Sequence, residues 1–435
     1  MDDYRQIADT YAAAIAQGRL KPGDRLPPQR EFARAHSIAS STAARVYGEL
    51  RRRGLVVGET GRGTFVRAIP PPEAPALTEP ARVAVDLELN FSVLPGQAEL
   101  QAESLTGLLR ADVLETSLRP TSVTGTPLLR DAASKMLARA GWEPDPAGIV
   151  FTGNGRQAIA VALDMLVPNG GRLGVEPLTY PVIKGIAARR GITLVPLPMD
   201  EHGLNPTPAD LDGVHAVYMQ PTLHNPLGVT MPRARRDELA AVLDKADVPA
   251  IEDTIYGFLA EDLPPVAPQR TVVVDSLSKR LSPGLTVGFI APPPALAERA
   301  ARAARAMGVG AQHFAMQAAA RWLTDGVVER ICADKRVDSR VRQQIARASL
   351  RVEGDPGAYH CWWRLPGRWT AEAFVAAAAR QGIAVASAAA FAVRQGDSPN
   401  AVRLSLSAPP LETLRAAIET LARLAAGDPY ETVEV

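Results

Sequence analysis

Lys279 closes the segment Asp275-Ser276-Leu277-Ser278-Lys279, directly after the apolar run TVVV. An ammonium at the end of a buried strand is costly unless its amine has a task. Schiff-base formation with an aldehyde cofactor is one such task, because the amine must first shed its proton. The plain alternative is a lysine that snorkels to the surface. Ile251-Glu252-Asp253-Thr254-Ile255-Tyr256 ends another strand-like run. An acid there can pair with a pyridinium nitrogen and keep the ring an electron sink, while Tyr256 can donate to a phenolate oxygen. A strand acid before a helix cap is the competing reading.

Three further segments carry compatible chemistry. Gln220-Pro221-Thr222-Leu223-His224-Asn225-Pro226-Leu227-Gly228 presents Asn225 between prolines, where it can bond the same oxygen or simply form a turn. Phe151-Thr152-Gly153-Asn154-Gly155-Arg156-Gln157-Ala158 is a strand-to-helix junction whose bare amides can cradle a phosphate, although many α/β proteins have such a junction. Glu176-Pro177-Leu178-Thr179-Tyr180-Pro181 offers the Tyr180 ring for stacking on a cofactor, or for burial in a loop.

These segments need elements to hold them. From about residue 85, the strand-like runs GIVFTG, RLGVEP, TLVPL, HAVYMQ, PAIED and TVVVDS alternate with Ala-rich helical stretches. That alternation predicts an α/β body with a predominantly parallel sheet covered by helices. From about residue 300, long helices precede HCWWRL, GIAVASA and AVRLSLS, which predicts a smaller α+β domain. A chain of 435 residues corresponds to two or three domains, and 46% hydrophobic against 22% charged residues is a globular balance. No apolar stretch has the length of a membrane span, and the N-terminus has no signal-peptide pattern. Two cysteines, Cys332 and Cys361, cannot build a disulfide framework or a multi-cysteine zinc site. The expectation is a cytoplasmic protein with no membrane partner and no metal.

The first 67 residues differ from the rest, with 12 Lys+Arg against 7 Asp+Glu, while the remainder is net acidic. Such asymmetry suits a basic nucleic-acid module joined to a different body. Helical spacing of Ile7, Tyr11, Ala14 and Ile15 predicts a helix over 3–17, PQREFARAH a second, and 40–53 a third. In the third, Ala43, Val46, Tyr47 and Leu50 form the buried stripe, and Thr42, Arg45, Glu49 and Arg52 face outward. LVVGETGRGTFV reads as a β-hairpin turning at Gly61-Arg62-Gly63. Three helices and a hairpin make a winged helix-turn-helix, whose third helix enters the major groove while the wing carries an Arg toward the minor groove. The Pro-rich stretch AIPPPEAPALTEPAR is a semi-rigid spacer.

Residues 1–67 resemble the GntR family of bacterial regulators. The matching residues are Gly23-Asp24-Arg25-Leu26-Pro27, Arg30, Ser41-Thr42, Tyr47, Leu50, Gly54-Leu55 and Gly61-Arg62-Gly63-Thr64-Phe65-Val66. The resemblance implies binding of a double-stranded DNA operator, with contacts from Arg30, Ser41, Thr42, Arg45 and Arg62. A solvated protein-interaction face is the alternative for these arginines.

The order of the five body segments, from phosphate loop to Ser-x-x-Lys, resembles fold type I pyridoxal 5'-phosphate (PLP) enzymes of the aminotransferase class over about residues 85–425. With a GntR-like head, the whole is similar to the MocR subfamily of regulators. That resemblance implies Lys279 as the Schiff-base lysine, Asp253 as partner of the pyridine nitrogen, and Asn225 and Tyr256 as donors to the cofactor's phenolic oxygen. It also implies stacking by Tyr180, phosphate binding by Gly155, Arg156, Ser276 and Ser278, and a substrate carboxylate clamp at Arg403. The implied domains are 1–67 (winged helix), 68–84 (linker), 85–310 (large) and 311–435 (small), in a head-to-tail homodimer.

Two positions depart from the pattern. Thr286 stands where the family commonly has a phosphate-binding Arg, with Arg280 as the candidate substitute, and Pro120 stands where a Tyr is frequent. Two functions therefore stay open. One is a transcriptional regulator sensing PLP, or PLP with an amine or amino acid. The other is an active aminotransferase carrying a DNA-binding head. A cofactor-free relic body rests on the two departures alone.

Overall fold

The computed structural model describes residues 4–16, 19–20, 24–52, 55–59, 63–66, 83–260, 262–394 and 397–427. The expected linker lies outside these residues up to position 82, as do Gly61 and Arg62 of the expected wing turn. The chain forms two compact units, Met1–Ala76 and Leu77–Val435.

In the first unit, α1 (Tyr4–Ala16), α2 (Gln29–Ala35) and α3 (Ser40–Arg52) precede an antiparallel pair, β1 (Val56–Glu59) and β2 (Gly63–Val66). Apolar residues at three- and four-residue spacing along α3 give it one buried face of Ala43, Val46, Tyr47 and Leu50. This face closes on Phe32, Leu26, Val56 and Val66, with the Phe32 and Tyr47 rings edge to face at 5.0 Å. The Tyr47 hydroxyl donates to the Pro27 carbonyl, fixing the turn before α2. Arg30, Ser41 and Arg45 are exposed and Thr42 is half-buried. Glu49, expected to face outward, is instead 8% exposed. It lies one position before Leu50, on the margin of the apolar stripe, so the stripe is wider than the spacing suggested.

The second unit is built on a seven-stranded sheet. Its strands are β4 (Val150–Thr152), β5 (Arg172–Val175), β6 (Thr193–Pro196), β9 (Ala216–Met219), β10 (Ala250–Asp253), β11 (Thr271–Ser276) and β12 (Gly288–Ala291), in the order β4-β12-β11-β10-β9-β5-β6. A two-residue hairpin, β7 (Met199–Asp200) with β8 (Gly203–Leu204), lies beside it in sequence. Strands β9, β10 and β11 are buried along their whole length, as expected for Val- and Ile-rich strands covered on both faces. Pairing from β11 through to β6 is parallel, and β12 alone runs antiparallel to its neighbours. In such a sheet ligands collect at the carboxyl ends of the strands, which here carry Asp253, Ser276 and the turn after Thr152. No helix among the described residues is long and apolar enough to cross a membrane.

A second sheet, in the order β13-β15-β14-β3, combines β13 (His360–Arg364), β14 (Ile383–Ser387) and β15 (Ala401–Ser405) with β3 (Val85–Leu87). The expected boundaries group residues 85 onward with the large domain. Val85–Leu87 instead pairs in parallel with Ile383–Val385, because fully buried Leu87 packs with Trp363, Phe374 and Ile383. The segment that follows β3 thereby passes between the two sheets. The 23-residue helix Val327–Ser349 buries residues against both.

Two details of the large sheet position the site. Adjacent acids on β10 point to opposite faces. Glu252 is fully buried with Arg139 at 2.7 Å, Arg236 at 3.6 Å and the Val266 amide at 2.8 Å. Asp253 faces the other way. On β12, Gly288 pairs with Thr152 and Ser276, and a Cβ there would stand 2.3 Å from both the Asn154 carbonyl and the Thr152 hydroxyl. Only a glycine lets the turn after β4 fold back this closely. Gly288→Ala therefore destabilises the body by about 1–3 kcal/mol through forced backbone displacement. Chemical denaturation of the purified variant measures this, and an unchanged midpoint refutes the close approach.

Candidate functional site

The turn between β4 and the helix Gly155–Leu166 is capped by Asn154, whose side-chain oxygen accepts from the Gln157 amide at 3.0 Å. The first-turn amides of Gly155 and Arg156 have no intrahelical acceptor, which makes them donors for an anion. Opposite them, the Ser276 and Ser278 hydroxyls lie 2.5 Å apart, and Ser276 caps the short helix Leu277–Arg280. A Cβ on Gly155 would come within 3.0 Å of the Ser276 hydroxyl, so the two elements form a cup floored by bare backbone. Arg156 is exposed at its rim.

Lys279 is half-buried one turn further, and its Nζ donates to the Asn90 carbonyl. Burial lowers its amine to about 7, reinforced by the Arg403, Arg156 and Lys335 cations and opposed by Asp253. Asp253 sits at the end of β10 with no cation at hydrogen-bonding distance among the described residues. Its Oδ2 accepts from Tyr218 at 2.8 Å and the Gln220 side-chain amide at 2.9 Å, and Oδ1 from the Ile255 amide at 3.2 Å. Burial raises its carboxyl to about 6 despite these donors. The Gln220 side chain also accepts from the Asn225 amide at 3.3 Å, and its backbone amide donates to Glu176 at 2.7 Å. Gln220 thus orients both Asp253 and Asn225. Glu176 is buried, with its carboxyl raised to about 8, and lies 3.9 Å from the His224 ring.

Arg403 on β15 is buried, with one guanidinium nitrogen donating to Asn225 Oδ1 at 3.3 Å and another to the Glu88 carbonyl. Its Nε has no partner, and the guanidinium lies 5.3 Å from the Phe391 ring centroid. Lys184 fastens this lip by donating to the Ala390 and Ala392 carbonyls at 3.0 and 2.9 Å. Tyr256 is buried, its phenol raised by burial, and accepts from Asn90 Nδ2 at 2.9 Å. Tyr180 is half-buried at the start of the helix Pro181–Arg189, and Arg156 beside its phenol offsets part of the upward shift from burial.

The structure thus gathers Gly155, Arg156, Tyr180, Asn225, Asp253, Tyr256, Ser276, Ser278, Lys279 and Arg403 around one region. Arg280 does not join them. Its guanidinium donates to buried Asp275 at 2.6 Å and lies 5.3 Å from the Phe258 ring centroid. Alternation along β11 turns Asp275 away from Ser276, and Arg280 follows that acid; the expectation that it replaces the absent phosphate arginine is corrected accordingly. The buried hydroxyl of Thr286 has no hydrogen-bond partner among the described residues. The five expected DNA contacts belong to the first unit and were placed above, Arg62 outside the described residues.

Sequence reasoning missed Asn90, Tyr218, Gln220, His360 and Lys335. Asn90 links Tyr256, His360 Nδ1 at 3.2 Å and, through its carbonyl, Lys279. His360 Nε2 faces the His224 carbonyl at 3.0 Å, so the ring is a neutral Nε2–H tautomer that accepts at Nδ1. Tyr218 carried a usable signal, a polar tip in the otherwise apolar run AVYM.

Two family models match the chain. Aminotransferase class I and II covers residues 108–421, and the gntR family of bacterial regulatory proteins covers residues 3–66. The uncharacterised HTH-type transcriptional regulator YdeF of Bacillus subtilis is 28% identical over 97% of this chain and 94% of its own. The HTH-type pyridoxine biosynthesis transcriptional regulator PdxR of Corynebacterium glutamicum is 26% identical over 79% and 78%. Among solved structures, an archaeal alanine:glyoxylate aminotransferase superposes with a TM-score of 0.72, covering 80% of this chain and 91% of its own at 23% identity. A kynurenine aminotransferase from Pyrococcus horikoshii gives 0.71 at 21% identity, covering 82% and 92%. At these identities the structural likeness establishes the fold.

The buried histidines give the site a pH signature. Burial lowers His360 to about 3 and His224 to about 4, from 6.5. Below 6.5 the unfolded chain takes up protons that the folded chain refuses, so their contribution to stability is present above that pH and lost on descent toward 3–4. Asp253 and Glu176, raised instead, act in the opposite direction. In His360→Gln the unfolding free energy from chemical denaturation declines less steeply between pH 6.5 and 4 than in the wild type, by up to about 1.4 kcal/mol per pH unit. Parallel curves for the two proteins contradict the neutral buried histidine.

Proposed function

The chain belongs to the aminotransferase class I and II family, and on that premise we propose that it is a transcriptional regulator that binds double-stranded DNA through its N-terminal winged helix and senses PLP, alone or with an amine or amino acid, in its aminotransferase-like body. The observation that carries this reading is the pairing of a gntR-type head with a body in which a desolvated lysine amine, an acid without a cation and a buried guanidinium face one region. Relatives named as HTH-type transcriptional regulators across nearly the whole chain support it.

The residues present fit PLP. The cup between Gly155 and Ser276 would be filled by any Cβ, and its amides and hydroxyls are donors suited to a phosphate. Asp253, solvated by neutral donors only, has an unmet demand for a cation such as a protonated pyridine nitrogen. Asn225 and Tyr256 would address the phenolic oxygen and Tyr180 the ring face. When bound, PLP supplies an electron sink for negative charge on a substrate carbon.

The protein's own groups do the rest. Lys279 Nζ, half-deprotonated near neutral pH, can act as nucleophile and as proton carrier. Arg403, its Nε free, offers a planar fork to a carboxylate, while the Phe391 ring and the Asn225 amide fix its orientation. Arg280 and Asp275 brace the turn that presents Ser276 and Lys279. In the first unit, exposed Arg30, Ser41 and Arg45, with Thr42 and Arg62, are assigned to the DNA backbone and grooves. A homodimer in the cytoplasm would bring two such heads to paired half-sites.

Two measurements test the reading. Purified protein with added PLP shows a visible band that is fixed by borohydride and absent in Lys279→Ala; no band in the wild type ends the cofactor assignment. Affinity for the DNA upstream of its own gene then differs between cofactor-free, PLP-loaded and amine-treated protein, because a ligand moves DNA binding only by its preference for one conformation. Equal affinity in all three forms, together with release of a keto acid from an amino acid, favours the aminotransferase reading instead.

A further inference from the structure

Lys335 lies mid-way along the helix Val327–Ser349 and is fully buried. An ammonium has three donors, and all of them here go to main-chain carbonyls: Ser92 at 2.7 Å, Lys279 at 3.0 Å and Leu281 at 2.7 Å. Gln97 adds a second bond to the Leu281 carbonyl at 3.2 Å. A buried cation satisfied by carbonyls alone is an expensive arrangement for a helix that needs only apolar packing at that position. Its neighbours on the same stripe, Ile331 and Cys332, are of the ordinary kind.

The carbonyls that it binds are not scattered. Two belong to the peptide that carries and follows Lys279. The third lies two residues beyond Asn90, whose own carbonyl accepts from Lys279 Nζ. We propose that Lys335 is a positioning residue, whose ammonium clamps the Lys279 peptide to the Asn90–Ser92 peptide, aims the Lys279 amine, and sets a fixed positive charge against a second one forming there. The inference rests on the reading of Lys279 as the cofactor-binding amine, and extends it to the helix on which that amine depends.

The charges around the two lysines agree with this role. Lys279 meets the cations Arg403, Arg156 and Lys335 and the carboxylate Asp253. Lys335 meets Cys332 and Asp338 of its own helix, and its amine, lowered by burial to about 8, remains mostly protonated at neutral pH. Removing the Lys335 charge therefore makes Lys279 easier to protonate, and loosening the clamp lets water reach it, which acts in the same direction.

The test is competitive acetylation of the full-length, cofactor-free protein with acetic anhydride across pH, with each lysine followed by peptide mass spectrometry. In Lys335→Met the titration midpoint of Lys279 moves up by about one pH unit, while Lys135 and Lys184 titrate as in the wild type. Lys335→Arg, which keeps charge and donors, returns Lys279 to the wild-type profile. A Lys279 profile that is unchanged in folded Lys335→Met, or a shift shared by Lys135 and Lys184, overturns the proposal, as does an Arg variant that behaves like the Met variant. Where Lys335→Met does not fold, Lys335→Gln, neutral but still a donor, is read against the same outcomes. None of these readings uses PLP, so a missing visible band in the wild type defeats the cofactor assignment and leaves the lysine coupling standing on its own result.

Discussion

A buried carboxylate and a half-buried amine lie in one region of this protein without being paired to each other, and that constraint governs much of its construction. Burying an ion costs several kcal/mol unless donors or opposite charge replace water. The two acids at the end of β10 receive opposite treatment. Glu252 is neutralised by two arginines, whereas Asp253 receives a phenol, a side-chain amide and a backbone amide. The first arrangement is complete. The second keeps the acid in place while leaving its charge available, and the Lys279 amine, held by a carbonyl, is in the complementary condition.

Around that pair the scaffold supplies rigidity by close backbone approach. The turn at Asn154 lies against Gly288 at a distance that no side chain permits, and the cup at Gly155 lies close against Ser276, where a Cβ would be a tight contact. The parallel strands deliver Asp253 and Ser276 to one edge, and the antiparallel β12 carries the chain back past them. Arg403 arrives from the smaller sheet, so its guanidinium and the Lys279 amine belong to different parts of the unit and meet only because that unit is folded.

Much of this was legible in the sequence because it depends on local order. Strand runs such as TVVVDS and PAIED fall where their apolar content places them, and the residues that end them face the site. What escaped was carried by long-range packing. Asn90 sits in a segment with no regular element, and its partners Tyr256, Lys279 and His360 lie far along the chain. Val85–Leu87 is too short to announce its sheet. Lys335 had a readable mark, a charge on the buried stripe of an amphipathic helix, but the stripe says only that the position faces inward. Arg280 shows the converse: its neighbourhood to Lys279 in sequence suggested a shared task, and strand alternation sent it to Asp275.

The course of residues 85–92 bears on how the protein can be taken apart. This stretch contributes a strand to the smaller sheet, the Glu88 carbonyl to Arg403, the Asn90 carbonyl to Lys279 and the Ser92 carbonyl to Lys335. A body excised at a boundary drawn from the aminotransferase match, which begins at residue 108, would lack all four. The catalytic-looking core is therefore not separable at the edge of its own homology. Its proper N-terminal border lies upstream of Val85.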